Sequence, residues 1–116
     1  MQKTIAAALA ASLIGCSAMP HVQVEGWPEL KITQHRLSPG EVIAYCGEAM
    51  HMGPAVILFA PMACATVNLD SLTCDVYVSA LADTFPALLA HELLHCAGKD
   101  HGDSFQNYYD EWKRRQ

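Results

Sequence analysis

HELLHCAGKDH, residues 91–101, carries three of the chain's six histidines. His91 and His95 stand one helical turn apart, so a helix stacks them on one face, close enough to share an ion. Glu92 follows the first of them. From there it does not comfortably join the histidines on the ion, but it can reach water at an open coordination position, which is where a general base must be. Gly98 stops the helix, because glycine takes the left-handed backbone that reverses the chain. His101 then returns as a third nitrogen and leaves a fourth position open, the arrangement of a catalytic rather than a closed structural site. The stretch therefore predicts an amphipathic helix with Leu88, Leu89, Leu93, Leu94 and Ala97 on its packing side, a tight turn, and a metal site between them.

Working outward, Asp83-Thr84 reads as the cap of that helix with Pro86 in its first turn. A last helix is expected from about Asp103 to Lys113, with Phe105, Tyr108, Tyr109 and Trp112 at helical spacing. Upstream, Cys74, Val76 and Val78 alternate with Asp75, Tyr77 and Ser79, the pattern of a half-buried strand. A second strand, Cys64 to Asn68, joins it through the turn signal Asn68-Leu69-Asp70-Ser71. Val56 to Phe59 is a continuous apolar run suited to a buried strand. Ser38 and Pro39 open a helix running to about Met50. Val22–Val24 and Leu30–Leu37 look like strands separated by Gly26-Trp27-Pro28; in the second, Leu30, Ile32 and Gln34 share one face, with Lys31, Thr33 and His35 on the other. The sum is an α+β domain, a mixed sheet packed on the histidine-bearing helix and closed by a C-terminal helix. No repeat, low-complexity linker or second domain is visible.

Composition agrees with one small domain plus a leader: 116 residues, 52% apolar and 16% charged. Met1-Gln2-Lys3 precedes an apolar run from Thr4 to Ile14 that is too short to span a bilayer comfortably. Without Lys3, six basic residues face twelve acidic ones, a formal charge of −6. Such a domain has no basic face for nucleic acid; the cluster Lys113-Arg114-Arg115 suits a helix C-terminus. Four cysteines follow Cys16, and in an exported domain an even number suggests two disulfides with three possible pairings. The turn between them favours Cys64 with Cys74, which leaves Cys46 with Cys96. Cys96 is also a minor candidate for a metal ligand, being next to His95.

Two resemblances extend this reading. Leu13-Ile14-Gly15-Cys16 resembles the lipobox of bacterial lipoprotein signal peptides. That implies a signal peptide over residues 1–15, lipid on Cys16, a tether over 16–21 and a domain over 22–116. The protein would be exported and lipid-anchored to the cell envelope, at the outer membrane facing the periplasm where there are two membranes, since Ser17 is not the aspartate of inner-membrane retention. An ordinary secretory signal cut near Ser17-Ala18-Met19 is the alternative.

Residues 91–101 also resemble the H-E-x-x-H-x-x-G-x-x-H signature of the metzincin zinc peptidases at every fixed position. The resemblance implies Zn2+ on His91, His95 and His101, with Glu92 as catalytic base and acid. Metzincins carry a methionine turn after the third histidine, whereas here no methionine follows His101, so the expectation is a minimal zincin-like domain. In a small-zincin variant Asp110 or Glu111 on the last helix would replace His101 as third ligand. Tyr108 and Tyr109 are candidates for oxyanion stabilisation, since zincins often place a phenol near the metal. His21, His35 and His51 read as surface or hydrogen-bonded residues. The expected function is a membrane-anchored extracytoplasmic metallopeptidase acting on a peptide or protein substrate laid along an edge strand near Cys74–Ser79. The alternative is a non-catalytic, zinc-binding, disulfide-stabilised envelope lipoprotein, a binding or assembly module.

Overall fold

A computed structural model of the chain describes residues 22–49 and 62–116. The lipobox, Cys16, His21, His51 and the expected strand Val56–Phe59 lie outside the described residues. Within them the order is β1 (Val22–Gln23), β2 (Lys31–Arg36), α1 (Pro39–Ala49), β3 (Ala63–Asn68), β4 (Thr73–Val78), α2 (Leu81–Thr84), α3 (Pro86–Cys96), β5 (Lys99–Asp100) and α4 (Ser104–Arg114). The domain is α+β with a mixed sheet. β2, β4 and β3 form it in that order, with β2 parallel to β4 and β3 antiparallel to β4. β1 and β5 make a separate two-stranded antiparallel ribbon.

Alternation along β4 sets the two faces of the sheet. Cys74, Val76 and Val78 are buried on one of them, in a core with Leu30, Ala63, Leu69, Ala82 and Cys96. Leu89 and Leu93 of α3 pack against this core, as do Tyr108, Tyr109 and Trp112 of α4. The opposite face carries Tyr77 and Cys64, covered by Val42 and Cys46 of α1. The expected edge strand near Cys74–Ser79 needs correction, because β4 lies in the middle of the sheet and, among the described residues, β2 and β3 are its edges. The parallel β2–β4 pairing joins segments far apart in sequence, beyond the reach of any local pattern.

The disulfides also differ from the expected pairing: they are Cys46–Cys64 and Cys74–Cys96, with Cα atoms 5.7 and 5.6 Å apart. The hairpin register gives the reason. Asn68 lies opposite Thr73, so Cys64 faces Tyr77 while Cys74 faces Val67. Directly paired residues share a face and successive residues alternate, which puts Cys64 and Cys74 on opposite sides of the sheet. Each therefore bonds to the helix covering its own side, Cys64 to α1 and Cys74 to α3. Each loop of this length contributes roughly 3 kcal/mol in the chain-entropy account of disulfides, a useful supplement to a small core.

Helix α1 begins as expected. Ser38 Oγ accepts from the Glu41 amide at 3.2 Å and the Ser38 amide donates to Glu41 Oε1 at 3.0 Å, a capping box. The cap expected at Asp83-Thr84 is not the start of α3. Those residues close the short α2, Phe85 is the N-cap of α3 without a side-chain hydrogen bond, and Pro86 opens the helix. Pro86 disfavours helical backbone at the residue before it, and Phe85 is held at φ −122° and ψ 78°. Asp83 turns instead to Arg36, whose guanidinium donates to its carboxylate at 3.2 and 3.3 Å.

Candidate metal centre

His91 and His95 project from successive turns of α3, and His101 follows β5 on the returning chain. Together they form a group able to hold a metal ion, their ligand atoms all within 4.8 Å of one another. His91 Nε2 lies 3.2 Å from His95 Nε2 and 3.1 Å from His101 Nε2. Nitrogens bound to one tetrahedral ion at the usual zinc–imidazole length sit about 3.3 Å apart, so the two spacings from His91 fit ligands sharing an ion. His91 is buried, while His95 and His101 are half-buried, which leaves the group accessible from solvent.

The surroundings orient the donors. His95 Nδ1 is 2.7 Å from the Lys99 carbonyl oxygen. A carbonyl only accepts, so Nδ1 carries the hydrogen and neutral His95 turns the lone pair of Nε2 toward the other two rings. Phe105 packs edge-on against the His95 ring with centroids 5.8 Å apart. His101 is placed by the turn before it and by Asp100. Gly98 has φ +90°, the left-handed backbone expected of it. The Asp100 carboxylate accepts from the His101 amide at 2.8 Å, from Ser104 Oγ at 2.7 Å and from the Phe105 amide at 3.0 Å, tying His101 to the start of α4. Partial burial pushes the Asp100 carboxyl up, but the hydrogen bonds from Ser104, Phe105 and His101 outweigh it and hold the group below its ordinary range.

Glu92, next to His91 on α3, is 3% exposed. Burial pushes its carboxyl up to about 8, because the charged form loses its hydration. A divalent cation held by the neighbouring histidines acts in the opposite direction and favours the carboxylate.

The remaining candidates fall into place around this group. Asp110 accepts from Gln106 Nε2 at 2.9 Å, and Glu111 pairs with Arg114 and Arg115; both acidic residues are exposed, and neither belongs to the histidine group. Cys96 is bonded to Cys74 and so offers no thiolate. His35 hydrogen-bonds Asp75 at 2.9 Å and stacks on Tyr77. The two phenols expected near the site are engaged elsewhere. Tyr108 accepts from the Leu69 amide at 2.9 Å, and Tyr109 rests its hydroxyl where a side chain at Gly26 would begin, 2.6 Å from a Cβ built there. Phe105 does adjoin the centre through the His95 ring, and the ring of Trp27 stacks on Phe105 with centroids 5.3 Å apart. Trp27 went unnoticed in the sequence because Gly26-Trp27-Pro28 reads only as a turn, and no local pattern links it to a helix end some seventy residues later.

No family model matches the chain, and neither a curated protein nor a solved structure shows significant similarity to it.

Proposed function

We propose that the protein is a zincin-like zinc metallopeptidase acting outside the cytoplasm, anchored through lipid on Cys16. The observation that carries the proposal is the gathering of His91, His95 and His101, their ligand atoms all within 4.8 Å of one another, with the buried Glu92 next to His91 on its helix. Three imidazoles suit zinc among common divalent ions. When bound, zinc supplies Lewis acidity toward a carbonyl oxygen and toward water. Glu92 accepts a proton from the attacking water and returns it to the leaving amine, the task of a general base that becomes a general acid. An extended peptide adds to β3, which is an edge strand among the described residues and packs against α3. Two disulfides suit an oxidising compartment and so support export; Leu13-Ile14-Gly15-Cys16 supports the anchor.

A second reading has one observation in its favour. Both phenols expected to assist an oxyanion are committed to packing and to the Leu69 amide, which suits a module that holds zinc without hydrolysing anything. One experiment separates the two. The purified protein is analysed for metal and challenged with a broad peptide library beside Glu92→Gln, which keeps the size of the side chain but removes the base. A peptidase retains zinc and stability in the variant and loses hydrolysis by at least about a hundredfold. A zinc-loaded parent that cleaves nothing leaves the binding module, and a protein that takes up no zinc refutes both.

A further inference from the structure

His91 and His95 are fixed relative to each other by the helix that carries them. His101 is not. It sits beyond a turn, and what holds that turn is the segment Val22–Trp27, from the other end of the domain. We infer that this segment is a strap that positions the metal ligands, so that docking of the strap and binding of metal are one coupled equilibrium. The inference rests on reading the three histidines as a metal site and is independent of whether that site hydrolyses peptides.

The strap meets residue after residue of the turn. Trp27 Nε1 donates to the Cys96 carbonyl at 3.0 Å, Gln23 Nε2 to the Ala97 carbonyl at 3.0 Å and the Val24 amide to the Gly98 carbonyl at 3.1 Å. A helix end leaves its last carbonyls without intrahelical partners, and here the last of them, at Cys96, and the two carbonyls that follow it are served by one short segment. β1 then pairs with β5, Gln23 opposite Lys99 and Val22 opposite Asp100. Those two residues orient the ligands, since Lys99 offers its carbonyl to His95 Nδ1 and Asp100 binds the His101 amide. The strap thus acts on two of the three histidines through their immediate supports.

Packing continues the same chain of contacts. The indole of Trp27 covers Gly98 so closely that a Cβ there would lie 2.4 Å from its Cγ. The indole also stacks on Phe105, which in turn touches the His95 ring. The strap is itself well held. Val24 is 1% exposed, and a turn closes from the Trp27 amide to the Val24 carbonyl at 3.4 Å with Gly26 at φ +81°. A positive φ at that third position is what a type II turn requires.

Positioning has a consequence that mere closure of the fold lacks. If metal binds only the strap-docked form, loosening the strap weakens metal binding, and metal shifts the strap's opening equilibrium toward the docked form by the same factor. The test uses the full chain with its disulfides intact and Co2+ as the probe, whose visible spectrum reports ligand geometry. Gln23→Ala and Trp27→Phe each remove one donor to the turn, the latter keeping an aromatic ring over Gly98. Each should weaken Co2+ binding about tenfold, the scale of losing a support behind a metal ligand. Bound Co2+ should slow hydrogen exchange in residues 22–27 of the parent. Val42→Ala is the control for stability, since Val42 is buried between α1 and the other face of the sheet. It should lower the melting temperature at least as much as either strap variant yet leave Co2+ affinity within about twofold of the parent. Strap variants that bind Co2+ as tightly as the parent overturn the inference, as does a Val42→Ala that weakens binding equally. Gln23 is exposed, so Gln23→Ala decides the matter should Trp27→Phe fail to fold. A parent that binds no Co2+ is a different outcome and refutes the metal site itself.

Discussion

Replacing Gly98 by alanine tests the turn from which His101, the proposed third ligand, hangs. Two costs add at this position. The backbone sits at φ +90°, where an L-residue with a Cβ loses roughly 1–2 kcal/mol to clash with its own carbonyl. The new methyl would also stand 2.4 Å from Trp27 Cγ and 2.8 Å from its Cβ and Cδ1. Three ring and stem atoms cannot all yield without shifting the indole, and overpacking of this kind costs about 1–3 kcal/mol. The expected destabilisation is therefore about 2–5 kcal/mol, a fall in melting temperature of at least roughly 10 °C for a domain of this size. Far-UV circular dichroism melts with the disulfides intact measure it. Gly98→Asn separates the contributions, because asparagine accepts left-handed backbone but still brings a Cβ; it should recover about 1 kcal/mol and no more. Gly40→Ala is the contrasting case, since nothing lies within 4 Å of a Cβ built there. Inside α1 that change should be neutral or stabilise by up to about 1 kcal/mol. A Gly98→Ala protein melting within about 2 °C of the parent would refute the reasoning about both the backbone and the indole.

Two further outcomes follow from other parts of the fold. Burial, and after it the hydrogen bond with Tyr45, push Tyr77 up to about 12. The folded state then keeps this proton where the unfolded chain, with an ordinary value near 10, has lost it. Stability contributed at Tyr77 is thus fully present below pH 10 and declines from there toward pH 12, a decline that Tyr77→Phe should lessen in urea melts across that range. Peptide mapping without reduction should return Cys46–Cys64 and Cys74–Cys96; a Cys64–Cys74 crosslink would contradict the assignment of these residues to opposite faces of the sheet.

Much of the site was legible because its signals are local. The spacing of His91, Glu92 and His95 is a property of one helix, and Gly98 announces its own turn through the backbone it alone takes easily. The capping pair Ser38 and Glu41 is likewise readable over four residues, as is the alternation of Cys74, Val76 and Val78. What escaped depended on register or on distance. The four residues Leu69–Leu72 between β3 and β4 set which strand positions face each other. That count turns Cys64 toward α1, and a turn signal alone does not reveal it. Phe85 was missed as a cap because Asp and Thr are better capping residues, yet Pro86 forces the break one residue later. The strap was invisible for a different reason. β1 is two residues long, and its value comes from partners at the far end of the chain.

The distribution of supports around the histidine group has an energetic logic. A ligand on a helix arrives already ordered, since its backbone is fixed by the helix and its axis by packing; α3 is further bound to the sheet by Cys74–Cys96, one residue from His95. A ligand on a loop must lose backbone freedom worth roughly 1–2 kcal/mol per residue before it can contribute. For the stretch from Ala97 to His101 that amounts to more than the net gain of any single hydrogen bond, and unless it is met within the apo fold it is subtracted from metal affinity. The supports are concentrated accordingly. The strap, with the indole of Trp27, and the Asp100 carboxylate all bear on these residues, whereas the backbones of His91 and His95 are fixed by their helix. Sensitivity to substitution should follow the same gradient. Changes that loosen the turn after α3 should weaken metal binding out of proportion to their effect on stability. Changes beneath α1, on the far side of the sheet, should do the reverse.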